Sequence, residues 1–321
     1  MKFVVLNGAI VNPGDLSWDG YFNLGNITIN DNTPLDRIVE QIENADCILG
    51  LPGQTEDLGA KYLKYAPNLK YIGTFSTGYN TIDMDYCHEH GIVVSNVPSY
   101  GTDMVAQYAV SLLLEICGNM QFMSDGVHTG KWEETRHEAF RGKPLLELAG
   151  KTCGIIGFGR IGKTTGRIMQ AFGMNVIYND CYRSVDSESS TCCFGLLDEV
   201  LSNSDVVFLH CPLTSDNHHI INEKTISRMK DGAILINNAR GQLVDEAALA
   251  SALNSGKLYA AGLDVTEIEP IPSSSPLLSA RNCLITPHMS WLSKESRQRI
   301  LNTALDNVKQ FLLGHPVNVV S

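Results

Sequence analysis

Nothing in this chain approaches the roughly 18 consecutive apolar residues that a membrane-spanning helix requires. The opening Met1-Lys2-Phe3-Val4-Val5-Leu6-Asn7-Gly8 carries an apolar run too short for a secretory leader and reads instead as a first strand. Basic charge is also in short supply. With 24 basic against 35 acidic side chains the formal net charge is −11, and no Lys/Arg-rich run stands out, which argues against nucleic acid or an anionic membrane as a partner. The nine cysteines are odd in number, scattered and without C-x-x-C spacing, as suits reduced thiols in a cytoplasm. No solenoid-length repeat and no low-complexity segment is present. Cys87-His88-Glu89-His90 invites a metal, but consecutive residues fan out around a helix or alternate across a strand. They cannot converge on one ion, and no metal is expected.

What is present is a compact globular composition, 44% apolar and 18% charged, in 321 residues, enough for two domains with a core each. Two runs of alternating strands and helices follow one another, which predicts an α/β fold of two open, mainly parallel sheets. In the first run strands are expected near 3–6, 47–51, 71–74 and 92–95, with helical segments around 34–44, 57–65 and 82–90. The second run starts at Lys151 and continues through 174–178, 206–210, 233–237, 260–264 and 283–286. Between them Met104, Ala106, Val110, Leu113, Leu114 and Cys117 recur at helical spacing after the Asn96-Val97-Pro98-Ser99 turn. Residues 293–313 form a last helix, ended by Gly314-His315-Pro316. The stretch 118–150 is poor in strand signal, and its Trp132 and Phe140 fit either an oligomer surface or a loop folded back on its own domain.

The densest chemical signal is Gly157-Phe158-Gly159-Arg160-Ile161-Gly162, the G-x-G-x-x-G pattern, directly after the apolar strand 151–156. In a dinucleotide site the first glycine makes a tight turn, the second lets the backbone approach a diphosphate and the third lets helix and strand pack closely. The helix that begins near Arg160 then offers its N–H groups and positive dipole end to the phosphates. Ile161, Ile168, Met169 and Phe172 give that helix its apolar face. Asp180 ends the next strand 23 positions after Gly157, near the usual distance for the carboxylate that receives the adenosine ribose hydroxyls. An acid there repels the 2′-phosphate of NADP and favours NAD, although Arg183 is the kind of residue a 2′-phosphate attracts.

Hydride transfer also needs a carbonyl held against the nicotinamide and a proton for its oxygen. Three later strands end in suitable groups at the edge where open α/β sheets bind ligands. They are Asn237-Asn238-Ala239-Arg240-Gly241, Leu263-Asp264-Val265-Thr266-Glu267-Ile268-Glu269-Pro270 and Ile285-Thr286-Pro287-His288. Asp245 precedes Glu246-Ala247-Ala248-Leu249 and reads as a helix N-cap.

With His210-Cys211-Pro212-Leu213-Thr214 and Thr286-Pro287-His288-Met289-Ser290-Trp291 added, the motifs stand in the order and spacing of one family. The chain resembles the D-isomer-specific 2-hydroxyacid dehydrogenases over essentially its whole length, and most of all their glycerate dehydrogenase (hydroxypyruvate reductase) branch. The resemblance implies two Rossmann- or flavodoxin-like domains with the active site in the cleft between them. Residues 1–100 with 294–321 would form a discontinuous substrate domain and 101–293 the NAD-binding domain, the two long helices serving as hinges. Arg240 would clamp the substrate carboxylate and polarise the carbonyl, His288 would be the general acid and base, and Glu269 would orient His288. Glu267 is read as a bystander. Gly157, Gly159, Arg160, Ile161, Gly162, Asp180, Cys211, Pro212, Asn217, Ala239, Arg240, Asp264 and His288 would contact NAD(H). Ser76, Thr77 and Gly78, in a loop whose backbone amides hold the carboxylate, would join Tyr100, Trp291, Arg240 and His288 around the substrate.

The same resemblance implies a cytoplasmic homodimer paired through the NAD-binding domains, without the C-terminal regulatory domain of some phosphoglycerate dehydrogenases. One departure concerns Gly50-Leu51-Pro52-Gly53-Gln54, where many glycerate-type relatives carry a lysine; its loss favours a more apolar 2-oxo acid. Hydroxypyruvate or glyoxylate is the expected substrate. A D-lactate or branched or aromatic 2-hydroxyacid dehydrogenase is one alternative, and an NAD-sensing binding protein or corepressor is another.

Overall fold

A computed structural model of the chain describes residues 1–51, 58–142 and 144–321. The chain divides into two compact units, Met1–Gly101 with Trp291–Ser321, and Thr102–Ser290.

The first unit is a five-stranded parallel sheet. Its strands are β1 (Lys2–Val5), β2 (Asn26–Ile29), β3 (Cys47–Leu49), β4 (Tyr71–Gly73) and β5 (Val93–Ser95), in the order β2-β1-β3-β4-β5. The short apolar runs become central strands because both faces of the sheet are covered, so they need not alternate. Val4, Ile48 and Ile72 face one layer of the core, and Phe3, Val5, Cys47 and Tyr71 face the other. The helix Lys294–Leu312 lies on that second face through Ile300, Leu301, Ala304 and Val308, and Phe311 stacks on Tyr71 at 4.6 Å. Ser293 caps this helix, its hydroxyl accepting from Ser296 N–H at 3.2 Å. The helix expected over 34–44 is a 3-10 turn, Leu35–Arg37, followed by Ile38–Ile42. The helix expected over 57–65 begins at Ala60; positions 52–57, which include Pro52, Gly53 and Gln54, lie outside the described residues. Cys87 points into the core from the helix Met84–Glu89, whereas His88, Glu89 and His90 are exposed, so the four diverge.

The second unit is a seven-stranded parallel sheet of β6 (Thr152–Ile156), β7 (Asn175–Asn179), β8 (Cys192–Phe194), β9 (Val206–Leu209), β10 (Ala233–Asn237), β11 (Leu258–Leu263) and β12 (Cys283–Ile285). The order is β12-β11-β10-β9-β6-β7-β8. From β6 the chain first winds outward through β7 to β8, then returns to pair β9 on the other side of β6 and winds the opposite way. The reversal between β6 and β9 opens a crevice at their carboxyl ends, the place where doubly wound sheets bind ligands. On one face the helices Thr102–Gly118 and Arg160–Ala171 cover Ile155, Tyr178, Phe208 and Ile236. The segment 118–150 contains the helices Met120–His128 and Lys131–Thr135. Its aromatics behave differently: Phe140 folds back against Gly126 and Phe122, while Trp132 is 53% exposed.

Two strands have no counterpart in the sequence reading. Both β2 and β8 are edge strands of four and three residues, and each is only partly buried, so neither carries an uninterrupted apolar run.

Candidate active site

The glycine turn after β6 is shaped by steric need at two of its three glycines. Gly157 has φ +94, and a Cβ there would lie 2.3 Å from the backbone N of Cys211, after β9. At Gly162 a Cβ would lie 2.2 Å from Gly157 O. Gly159 has no such reason to be glycine: its Cβ would meet nothing within 4 Å. The space in front of it is what a diphosphate approaching the backbone needs, and the helical ladder opens only at Lys163 N–H to Gly159 O, 2.9 Å. The N–H groups of Arg160, Ile161 and Gly162 come before that bond in the helix. The residues present therefore fit a dinucleotide.

Around this mouth the loops are tied down. Asp180, after β7, accepts from Phe158 N–H at 2.6 Å and from Tyr182 N–H at 3.1 Å, so it ties the glycine turn to the end of β7. Arg183 is engaged by both oxygens of Glu188 at 2.7 Å, which draws its charge away from a 2′-phosphate. The Asn217 side chain closes the loop after β9, donating to Pro212 O at 2.7 Å and accepting from Thr214 N–H at 2.7 Å. Burial pushes the Cys211 thiol up to about 11, against a smaller opposing effect of its backbone hydrogen bond, so it stays protonated at neutral pH. His210, beside it, bonds Thr165 Oγ1 at 2.9 Å, and burial holds its imidazole down at about 3. That tie from β9 to the dinucleotide helix was not foreseen from sequence.

The ends of β10, β11 and β12 bring Arg240, Glu269 and His288 into one neighbourhood. His288 Nδ1 and Glu269 Oε2 are 2.7 Å apart, with the side chains 28% and 23% exposed. The other Glu269 oxygen accepts from Thr266 N–H at 3.2 Å. Burial works to raise the Glu269 pKa and is the largest single influence, but the His288 hydrogen bond and charge, the Thr266 N–H and the Arg240 charge together outweigh it. The carboxyl therefore sits below its ordinary range. Arg240 rests its guanidinium on Ala239 O at 2.7 Å, and its own carbonyl accepts from Asn237 Nδ2 at 2.8 Å. The following Gly241 is jammed against the β11 loop, where a Cβ would come within 2.0 Å of the Thr266 carbonyl.

Asp264 is fully buried. Its carboxylate accepts from Thr286 Oγ1 (2.6 Å), Met289 N–H (2.9 Å) and Ser290 N–H (2.8 Å), and its carbonyl accepts from His288 N–H (2.8 Å). The resemblance implies a cofactor contact for Asp264; the bonds present make it the brace of the loop that carries His288. That loop needs one, because His288 has the left-handed φ of 56°, a conformation that costs a non-glycine residue of the order of 1 kcal/mol. Thr286 and Thr266, both missed in the sequence, hold this arrangement together. So was Asn238, whose Nδ2 donates to Val105 O at 2.8 Å while its buried Oδ1 has no partner among the described residues. Its place beside Arg240 in the Asn238-Ala239-Arg240-Gly241 motif was the available signal.

Of the residues expected around the substrate, five belong to the other unit, Ser76, Thr77, Gly78, Tyr100 and Trp291. The hydroxyls of Ser76 and Thr77 are spent on Gly78 O (2.6 Å) and Val97 O (2.8 Å), and Asn96 Nδ2 holds Thr77 O at 2.8 Å. They shape the loop rather than offer themselves to a ligand. Tyr100 and Trp291 meet edge to face at 6.4 Å. Asp245 is the N-cap expected of it, accepting from Ala248 N–H at 3.0 Å.

Hydride exchange between a dinucleotide and a carbonyl compound is the chemistry that this arrangement serves, and it makes the protein an NAD-dependent oxidoreductase. Residues 110–290 match the NAD binding domain of the D-isomer specific 2-hydroxyacid dehydrogenases. Over 324 aligned residues, covering 100% of both chains, the sequence is 46% identical to a hydroxypyruvate reductase of Blautia hydrogenotrophica. It is 35% identical to a glycerate dehydrogenase of Methylorubrum extorquens over 89% of this chain and 88% of the relative. Among solved structures, D-lactate dehydrogenase from Aquifex aeolicus, complexed with NAD and lactic acid, superposes with a TM-score of 0.80 at 30% identity, covering 98% of this chain and 96% of that one. The chain belongs to the D-isomer specific 2-hydroxyacid dehydrogenase family. Its cofactor is NAD(H). No helix among the described residues is long and apolar enough to cross a membrane.

Proposed function

We propose that this enzyme reduces hydroxypyruvate or glyoxylate to the D-2-hydroxy acid with NADH. The observation that carries the catalytic assignment is the 2.7 Å contact between His288 Nδ1 and Glu269 Oε2 on a loop braced by buried Asp264. An ionised Glu269 keeps Nδ1 of His288 as a donor and fixes the ring, leaving Nε2 to give a proton to the substrate carbonyl oxygen and to take it back in the reverse reaction. Arg240 meets the substrate carboxylate through its planar fork and draws electron density toward the carbonyl oxygen. The nicotinamide, when bound, supplies hydride to the carbonyl carbon in reduction and accepts it in oxidation. Thr102–Ser290 serves as the NAD-binding unit, with the backbone N–H groups of Arg160 and Ile161 donating to the diphosphate and Asp180 to hand for the ribose.

The substrate reading rests on the hydroxypyruvate reductase and glycerate dehydrogenase relatives. Its test is NADH oxidation across hydroxypyruvate, glyoxylate, pyruvate, 2-oxoisocaproate and phenylpyruvate, with NADPH in parallel. Hydroxypyruvate or glyoxylate with NADH is expected to give the highest kcat/KM. Preference for a bulky apolar oxo acid overturns the substrate, and tight NADH binding without turnover overturns the enzyme. We further propose a cytoplasmic homodimer, with exposed Met120, Val127 and Trp132 of the NAD-binding unit at its interface. Sedimentation at a single species of monomer mass contradicts the dimer.

A further inference from the structure

Beside this machinery lies a second set of donors that the reaction leaves idle. His218 and His219, in the loop after β9, and Glu267, in the turn after β11, bring their ligand-capable atoms within 4.8 Å of one another. Consecutive residues ordinarily send their side chains apart. Here His219 has the left-handed φ of 51°, and the bend sets the two imidazoles 3.9 Å apart at 34°. His219 Nε2 stands 3.1 Å from Glu267 Oε1. Two ligands bound at about 2.1 Å in a tetrahedral site are about 3.4 Å apart, so this pair already has the spacing of one tetrahedral edge. His218 is exposed and completes a face by turning its ring.

The platform beneath these side chains is stiff. His219 N–H donates to Gln242 O at 2.9 Å, and Gln242 Nε2 donates to Glu267 O at 2.9 Å. Glu267 N–H donates to Glu246 Oε1 at 2.8 Å, and Asn222 Nδ2 to His219 O at 2.7 Å. The side chains of His219 and Glu267 are 31% and 37% exposed, which leaves room for water in a fourth position.

We propose that His218, His219 and Glu267 form a binding site for a divalent transition metal of the zinc and cobalt class. Two imidazoles and one carboxylate suit these borderline ions, whereas calcium and magnesium ask for oxygen ligands throughout. An ion there joins the loop after β9 to the turn that carries Glu269, and through Gln242 to the segment that follows Arg240. It acts on the folded chain as a surface staple and raises the temperature of unfolding.

The test is a calorimetric and absorption titration of Co²⁺ into the full-length protein after treatment with a chelator. One site per chain is expected, without thiolate-to-metal charge-transfer absorption. His218→Ala and Glu267→Gln should each weaken it at least tenfold and abolish the cobalt-induced rise in unfolding temperature, with turnover in chelator unchanged. Should Glu267→Gln fail to fold, the exposed His218 decides alone. A site that survives His218→Ala, shows thiolate absorption or disappears in His288→Ala overturns the proposal.

Discussion

Two carboxylates two positions apart in one turn, Glu267 and Glu269, each hold a histidine from another loop, His219 and His288. Both histidines have left-handed backbone, and the pairs are similarly exposed, so neither strain nor burial separates them. The difference lies behind the rings. His288 stands on a loop whose N–H groups and Thr286 hydroxyl end on the buried Asp264 carboxylate, and Glu269 feels the Arg240 charge. His219 is held through its main chain by Gln242 O and the Asn222 side chain, and its acid is 3.1 Å away rather than 2.7 Å. On the proposed roles, an identical pair of residue types becomes a proton relay in one place and a surface contact in the other because of what fixes its geometry.

The largest effect should follow His288→Ala. Loss of a general acid costs about 10²–10⁴ in rate, so kcat/KM for reduction should fall at least 10²-fold while NADH binding, followed by fluorescence titration, stays within about twofold. Undiminished turnover would remove His288 from the chemistry. Glu269→Gln comes next, with a loss of about 10²-fold concentrated in kcat, because the ring keeps its place but loses the anion behind it. A purely structural Glu269 would lower the unfolding temperature and leave kcat alone.

A third histidine gives a pH-dependent effect on stability. His210 in the folded chain takes a proton only near pH 3, against 6.5 for an unperturbed histidine. The unfolded chain therefore binds the extra proton between those values, so this contribution is complete above pH 6.5 and is lost as pH falls toward 3. The slope is at most about 1.4 kcal/mol per pH unit. The steepness of the unfolding-temperature profile over that range should drop in His210→Asn; an unchanged profile assigns acid sensitivity elsewhere. Glu267→Gln should do least. In metal-free buffer its rate should stay within twofold of wild type, and the stability lost should be under about 1 kcal/mol, as for other exposed pairs. A large loss of turnover there would erase the distinction between the two acids.

How much of this was legible in the sequence depended on the range of the interactions involved. The glycine turn, the central strands and the three strand ends bearing Arg240, Glu269 and His288 could be read because each is a local pattern. The edge strands β2 and β8 could not, since partial burial leaves them without a continuous apolar run. The role of Asp264 as a brace was hidden for another reason: its partners lie 22 to 26 positions on and two are backbone N–H groups, which no residue type announces. His219 and Glu267 are 48 positions apart, and only the packing of two loops brings them together. The consecutive histidines were the one visible hint.

Gly241 sets a limit on how this site can diversify. With the Thr266 carbonyl 2.0 Å from where a Cβ would stand, the turn that follows Arg240 and the turn that carries Glu269 have no slack between them. On the proposed roles, the span from carboxylate clamp to proton relay behaves as a fixed ruler, matched to the one feature that all 2-oxo acids share. New substrates are then reached by remodelling whatever surrounds the third carbon, and the ruler is inherited unchanged.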